Sequence, residues 1–120
     1  MTTPTDYDPK RLIDPQAMPV GSPSTIYTSP NGQQGTQLTS IYLTNTGGVD
    51  ATVYIYVVEN GSSADAAHKL VDGYVLPADG LPFEIFRGSS SYYLNADDTV
   101  QGYVESGQSV TIHMSGVELN

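Results

Sequence analysis

The sequence of 120 residues contains no cysteine and no tryptophan, and only four of its residues are lysine or arginine. Without cysteine the chain has no disulfide framework, no thiolate nucleophile and no cysteine-ligated zinc site. Thirteen acidic residues give it a formal net charge of −9. Nucleic acids and anionic membrane surfaces are bound mainly through clustered lysine and arginine, so we expect neither as a partner.

Long apolar stretches are also missing. No run of about eighteen apolar residues occurs, so no transmembrane helix is expected. The N-terminal segment MTTPTDYDPKRLIDP lacks the apolar centre of a signal peptide, and we therefore expect a soluble protein without a secretion signal. A chain of this length is expected to form one domain with one modest core.

Proline is concentrated at one end of the chain. Six of the eight prolines lie in the first thirty residues, and each fixes φ and removes a hydrogen-bond donor. We therefore predict that residues 1–23 form an extended arm with neither helix nor central strand, and that residues 24–120 form the folded domain. An isolated arm of this kind would be disordered, so we predict that it binds a neighbouring subunit. The expected contacts are its larger apolar residues, Leu12, Ile13, Met18 and Val20.

From residue 24 onwards the pattern is typical of β-strands. Short runs rich in β-branched residues and tyrosine alternate with period two, and turns containing glycine, asparagine and aspartate separate them. The predicted strands are Ser24–Thr28, Thr36–Asn45, Ala51–Val58, Leu70–Leu76, Pro82–Phe86, Tyr92–Leu94, Val100–Val104 and Ser109–Leu119. Seven to eight short strands at this spacing predict an all-β fold, an antiparallel β-sandwich. Residues 62–68 have room for one helical turn.

The alternation also predicts how some side chains are oriented. In the predicted strand Thr36–Asn45, Thr39 and Ile41 share one face of the sheet, and Leu38 lies on the other. In the last predicted strand Gly116 is expected to form a β-bulge.

Few residues have the chemistry of a catalytic or metal-binding site. His68 and His113 are the only general-base candidates near neutral pH, and the side chain of His113 is expected to point away from the core. The pair Asp97 and Asp98 follows Asn95, but the alternating ligands of a calcium loop are missing, so a hydrogen-bonded turn is the better interpretation. We predict no catalytic residue, no metal site and no cofactor.

Tyrosine is the abundant aromatic residue, with nine tyrosines beside two phenylalanines. A face lined by strand tyrosines is compatible with three roles: a protein interface, plain cover for the sheet, or stacking on the sugar rings of a glycan. An interface is the leading hypothesis, and the other two remain alternatives. The tyrosines assigned to it are Tyr54, Tyr56, Tyr92 and Tyr93, and Tyr103 lies on a predicted strand as well.

Four segments together resemble a known group of proteins. They are Ile41–Thr46 (IYLTNT), Ala51–Val58 (ATVYIYVV), Leu94–Tyr103 (LNADDTVQGY) and Val110–Glu118 (VTIHMSGVE). These segments resemble the small β-sandwich virion proteins of tailed bacteriophages, which are head-decoration, neck, collar or minor tail components. The resemblance covers about residues 36–118.

The resemblance implies a non-enzymatic virion structural protein, assembled in the host bacterial cytoplasm. It implies a homo-oligomer that attaches to other virion proteins, either the major capsid protein or proteins of the neck or tail. The arm is the expected contact. The alternative function is a carbohydrate-binding β-sandwich module, as in a receptor-binding fibre or an appended domain of an enzyme. A small sandwich hydrolase is the third and least favoured hypothesis.

Overall fold

The computed structural model describes residues 7–32, 34–85 and 92–119. Within these ranges the chain forms ten β-strands and one 3-10 helix, Ala66–His68. The strands are β1 (Tyr7–Arg11), β2 (Gln16–Ala17), β3 (Ser24–Thr28), β4 (Gly35–Asn45), β5 (Ala51–Val58), β6 (Lys69–Leu76), β7 (Phe83–Glu84), β8 (Tyr92–Leu94), β9 (Thr99–Val104) and β10 (Val110–Leu119).

Two antiparallel sheets pack against each other. In the six-stranded sheet, β10 lies between β4 on one side and β1 and β2 on the other, while β7 and β8 pair with the far edge of β4. The four-stranded sheet has the order β3-β9-β5-β6. The predicted all-β antiparallel sandwich is therefore confirmed. All eight predicted strands are present, although the one predicted at Pro82–Phe86 is reduced to β7, and Phe86 lies outside the described residues.

The core between the sheets consists of aliphatic side chains from the inward-facing positions of the strands. Each fully buried valine, leucine or isoleucine stabilises the fold by about 1.5–3 kcal/mol relative to an exposed one. The largest side chains without solvent access include Leu38, Ile41, Leu43, Val53, Ile55, Leu94, Val100, Val104, Val110, Ile112 and Met114.

One orientation predicted from the sequence is wrong. Leu38 and Ile41 are both completely buried, although an even alternation would place them on opposite faces of the sheet. Ser115 of β10 pairs with Ser40, but the next residue, Gly116, pairs with Leu38. The residue between them on β4, Thr39, is thus the extra residue of a β-bulge, which shifts the alternation and turns Leu38 towards the core. Gly116 lies at this irregularity, but the bulged strand is β4.

The proline-rich arm lies along its own sandwich in the described residues. Strand β1 pairs with β10 at the edge of the six-stranded sheet, where Pro9 is opposite Val117, and an edge strand tolerates the missing donor of a proline. The amides of Leu12 and Met18 then donate to carbonyl oxygens of β10 at 2.9 and 2.8 Å. The arm is therefore an extended edge segment of the first sheet.

The arm then crosses to the second sheet. The amide of Val104 in β9 donates to the carbonyl oxygen of Pro19 at 2.9 Å, and the amide of Gly21 donates to the carbonyl oxygen of Val104 at 2.8 Å. The arm thus bridges the two sheets along one side of the sandwich. Residues 1–6 lie outside the described residues, and the division of the chain at residue 23 into arm and independently folding domain stays a prediction.

Candidate functional site

The four arm residues predicted to bind a neighbouring subunit differ in exposure. Val20 is 54% exposed, whereas Leu12 and Ile13 are partly buried and pack against the core. Met18 is only 3% exposed, and its Cε lies 3.1 Å from the position that a Cβ on Gly102 would occupy. Because the arm docks on its own sandwich, Met18 is a core residue of its own chain rather than a free interface residue.

The tyrosines of the four-stranded sheet stack on one another across its outer face. The ring centroids of Tyr54 and Tyr103 are 4.7 Å apart with an interplanar angle of 11°, and those of Tyr56 and Tyr103 are 6.5 Å apart. On the side of β6, the Tyr54 ring approaches Gly73, and the Lys69 ammonium lies 5.7 Å from the ring centroid. These ring faces contact neighbours in the sheet, so they do not form an open platform for a sugar ring. Tyr56 is only 6% exposed and offers little surface to a partner.

Tyr92 and Tyr93 border a cleft on the side of the sandwich opposite the arm. The cleft has a volume of about 470 Å³. One of its walls is β8 of the six-stranded sheet, and the other is formed by the 3-10 helix together with the first residues of β6. Val57 and Leu70, which pack against the core, form its apolar lining. Tyr92 is 41% exposed. The hydroxyl of Tyr93 donates to the carbonyl oxygen of Gln34 and ties β8 to the segment before β4.

His68 is held between two carboxylates at this cleft. Its Nδ1 lies 2.7 Å from Oδ1 of Asp65, and its Nε2 lies 3.6 Å from Oε1 of Glu59. A carboxylate only accepts, so Nδ1 carries a hydrogen that it donates to Asp65. The same Asp65 oxygen accepts the amide of Ala67 at 3.0 Å and so caps the 3-10 helix. The hydrogen bond to Asp65 raises the pKa of His68 above its ordinary value of 6.5.

This geometry does not resemble a nucleophile-activating histidine. Such a histidine directs an acceptor nitrogen at a serine or cysteine, whereas both nitrogens of His68 face carboxylates. The other histidine, His113, is exposed on the outer face of the six-stranded sheet opposite Tyr42, which confirms its predicted orientation. The two histidines are thus not brought together.

Asp98 joins three loops beside the cleft. It is 8% exposed, and its Oδ1 and Oδ2 accept the amides of Asn60 and Asn95 at 2.9 and 3.0 Å. Its backbone carbonyl accepts the amide of Ser29 at 2.9 Å. Both carboxylate oxygens therefore bind backbone N–H groups, as expected for a hydrogen-bonded turn rather than a calcium loop. No group of three or more potential metal ligands occurs in the described part of the chain.

A second buried carboxylate, Glu118, lies away from the cleft and is not among the residues predicted from the sequence. Glu118 is 5% exposed; its Oε2 accepts the Tyr27 hydroxyl at 2.7 Å, and its Oε1 lies 2.6 Å from Nζ of Lys10. Burial raises the pKa of Tyr27, whose hydroxyl also lies 3.0 Å from that of Thr36. The group links the arm to three strands. Its sequence signal is that Glu118 occupies an inward-facing position of β10, in phase with Met114.

Comparison of the chain with protein-family models, curated proteins and solved structures gives no significant match. Among the described residues, no helix has the length and apolar character needed to cross a membrane. In the part of the chain that the structure describes, the geometry leaves two candidate functional regions: the arm docked on β10 and the cleft beside Tyr92.

Proposed function

We propose that the protein is a non-enzymatic structural component of a tailed-bacteriophage particle, of the head-decoration, cement, neck or tail type. It associates with further copies of itself and with other virion proteins. The observation that supports this proposal best is the way in which the arm is held. The arm is bound through strand pairing at a sheet edge, and this kind of contact can be formed equally well with another copy of the chain.

The arm contacts available within one chain are available in identical form between two chains. Strand β1 pairs with β10, the Lys10 ammonium pairs with Glu118, and Met18 enters the core next to Gly102. If the arm of one copy occupies β10 of the next, all of these contacts are kept. Only the linker conformation and the entropy of association differ between the two arrangements.

The segment that joins the arm to β3 suits such an exchange. Gly21 adopts a left-handed conformation, with φ of 91°, and it lies between Pro19 and Pro23. Glycine permits this conformation at low cost, and the flanking prolines favour extended chain over a compact turn. Repeated exchange of arms would connect copies into an oligomer, as the structural role requires.

Disulfide trapping tests this self-association directly because the chain has no cysteine. Arg11 of β1 and Ser115 of β10 are partners in the antiparallel pairing, and such partners lie at a distance that a disulfide can bridge. One preparation carries Arg11→Cys, the other carries Ser115→Cys, and the two are refolded together at high concentration and oxidised. We expect a disulfide-linked dimer containing one copy of each variant.

Two controls make the result specific. A chain with both substitutions should cross-link within itself when dilute, which verifies the geometry of the pair. Val49→Cys, at a residue that is 54% exposed in the turn after β4, should cross-link with Ser115→Cys only at the rate of random collision. Intrachain cross-linking without any excess of the mixed dimer over this control would overturn the arm-exchange proposal.

Attachment to a particle needs its own measurement. Electron microscopy of phage particles assembled with and without this chain should reveal added mass at symmetry-related positions on the head, neck or tail. Particles that are identical in both preparations, with no copies of the chain detected by mass spectrometry, would contradict the virion assignment.

A further inference from the structure

The cleft beside Tyr92 has the construction of a small-ligand site. Its volume of about 470 Å³ falls within the range of ordinary ligand pockets. Its apolar lining, Val57 and Leu70, is packed against the core and is therefore fixed in position. The buried Asp98 accepts backbone amides from two of the surrounding loops, which holds the rim in place.

The polar side chains around the cleft offer both donors and acceptors. The Glu59 carboxylate accepts hydrogen bonds, the Lys69 ammonium donates them, and the Asn95 amide can do both. His68 is oriented by its 2.7 Å contact with Asp65, which turns the Nε2 edge of the ring towards Glu59, and both His68 and Glu59 line the cleft. A ligand with many hydroxyl groups, each a donor and an acceptor, matches such a mixture better than a purely apolar ligand does.

The charges at the cleft disfavour anionic ligands. Glu59 and Asp98 line it, and Asp65 lies directly behind His68. Lys69 is the lysine among the lining residues that the structure describes, and it already forms an ion pair with Asp72 at 2.9 Å. A phosphate, sulfate or sialic acid would therefore meet carboxylates, and the described lining residues offer it no lysine or arginine that lacks an acidic partner.

Tyr92 supplies the aromatic element that sugar recognition requires. It is 41% exposed at the border of the cleft, unlike Tyr54 and Tyr56, whose rings lie against the Tyr103 ring. An exposed tyrosine presents an apolar ring and a polar hydroxyl, which suit the C–H face and the hydroxyls of a pyranose.

We propose that this cleft binds a neutral saccharide, with Tyr92 against the apolar face of a sugar ring and Glu59, His68 and Asn95 bound to its hydroxyls. This role does not depend on arm exchange or on particle attachment. The sugar would thus bind in the cleft and not on the stacked tyrosines of the four-stranded sheet.

Saturation-transfer NMR with defined sugars tests the proposal. The probes are the neutral disaccharides cellobiose, maltose, lactose and diacetylchitobiose, with sialyllactose as the anionic comparison, each up to about 10 mM. We expect transfer to at least one neutral disaccharide. In a titration of the isotopically labelled protein, the amide signals of Val57, His68 and Leu70 should shift with the same dissociation constant.

Variants then locate the site. Tyr92→Ala should weaken binding by about tenfold or more, and Tyr92→Phe should keep it within about threefold, because the ring is retained. Tyr42→Ala is the matched control: Tyr42 is 40% exposed, but it lies on the outer face of the six-stranded sheet. If Tyr92→Ala proves unfolded, Glu59→Gln replaces it, since the Glu59 side chain is 72% exposed and the substitution keeps its shape.

Three results would overturn the proposal. The first is that no neutral sugar shows transfer at the highest concentration. The second is that binding is unchanged in folded Tyr92→Ala and in Glu59→Gln. The third is that sialyllactose binds and the neutral sugars do not. Because the measurement uses the isolated protein, a negative result leaves the virion proposal standing, and a failed cross-linking experiment leaves the sugar proposal standing.

Discussion

Replacing Met18 with alanine tests whether the arm is energetically part of the sandwich. Met18 is 3% exposed and packs into the core next to Gly102. Burial of this kind makes a methionine-to-alanine substitution cost about 2–5 kcal/mol. Because the arm can adjust around the gap, we expect the lower part of that range, about 2–3 kcal/mol. This is a large fraction of a typical stability of about 5–15 kcal/mol and corresponds to a melting temperature lower by roughly 10 °C.

Urea unfolding followed by far-ultraviolet circular dichroism measures the change, with two variants for comparison. Val20→Ala alters the same segment at a residue that is 54% exposed and should change the free energy of unfolding by less than about 0.5 kcal/mol. Met114→Ala alters a completely buried residue of β10 and should cost about 2–5 kcal/mol. If Met18→Ala unfolds at the wild-type urea midpoint while Met114→Ala is destabilised, the arm is not part of the cooperative unit, and the domain boundary at residue 23 stands.

Three further substitutions probe other features. Gly116→Ala should lower the free energy of unfolding by about 2 kcal/mol in a thermal melt, because a Cβ there would overlap the backbone carbonyl of Gln37 in β4. An unchanged free energy of unfolding would contradict the close approach of Gly116 to this carbonyl. Tyr27→Phe removes a hydrogen bond to the buried carboxylate of Glu118 and should lower the free energy of unfolding in urea by about 1.5–3 kcal/mol. A decrease under about 0.5 kcal/mol would argue against the buried network. His68→Asn should lower the melting temperature more at about pH 5.5 than at about pH 9. The raised pKa of His68 stabilises the fold at pH values below the unfolded-state pKa, and this contribution is lost as the pH rises through the folded-state pKa. An equal decrease in melting temperature at both pH values would contradict a contribution from protonated His68.

Strand positions were predictable wherever the alternation of side chains is regular. In Ala51–Val58, β-branched residues at every second position predict both ends of β5, and Val53 and Ile55 are completely buried as that pattern requires. The segment Thr36–Asn45 is also predictable as a strand, but the orientation of its side chains before the bulge at Thr39 is not. Leu38 and Ile41 are three residues apart, and side chains at this spacing lie on opposite faces of a regular strand. Two large apolar residues at this spacing are therefore the signal of the bulge in the sequence.

The docking of the arm could not be predicted from its own residues. Strand β1 contains Pro9 and has no apolar alternation, so local propensity argues against a strand. The strand forms because the outer edge of β10 presents unpaired backbone groups, and these are a property of the assembled sheet. The spacing of the prolines therefore predicts an extended chain but not the surface on which it lies.

The cleft was predictable only in part. Sequence alone indicates Tyr92 and His68 separately, the first as an interface candidate and the second as one of two general-base candidates. They approach each other because β8 pairs with β4 while β6 pairs with β5 in the other sheet. Strand order of this kind is not encoded in the spacing of residues along the chain, and so the grouping of these residues requires the folded structure.

The two sides of the sandwich, where the edges of the two sheets meet, are covered by different parts of the chain. Each of the two proposed roles belongs to one of these sides. On one side the arm runs from β10 to Val104 and covers the junction of the sheets. On the other side the sheets meet through the stacked rings of Tyr74 and Phe83, whose centroids are 4.2 Å apart, and the cleft lies further along the same edge. An arm supplied by a neighbouring copy would occupy only the first side. Arm exchange by itself would therefore leave the cleft uncovered, so the arm contacts and a sugar in the cleft do not compete for the same residues.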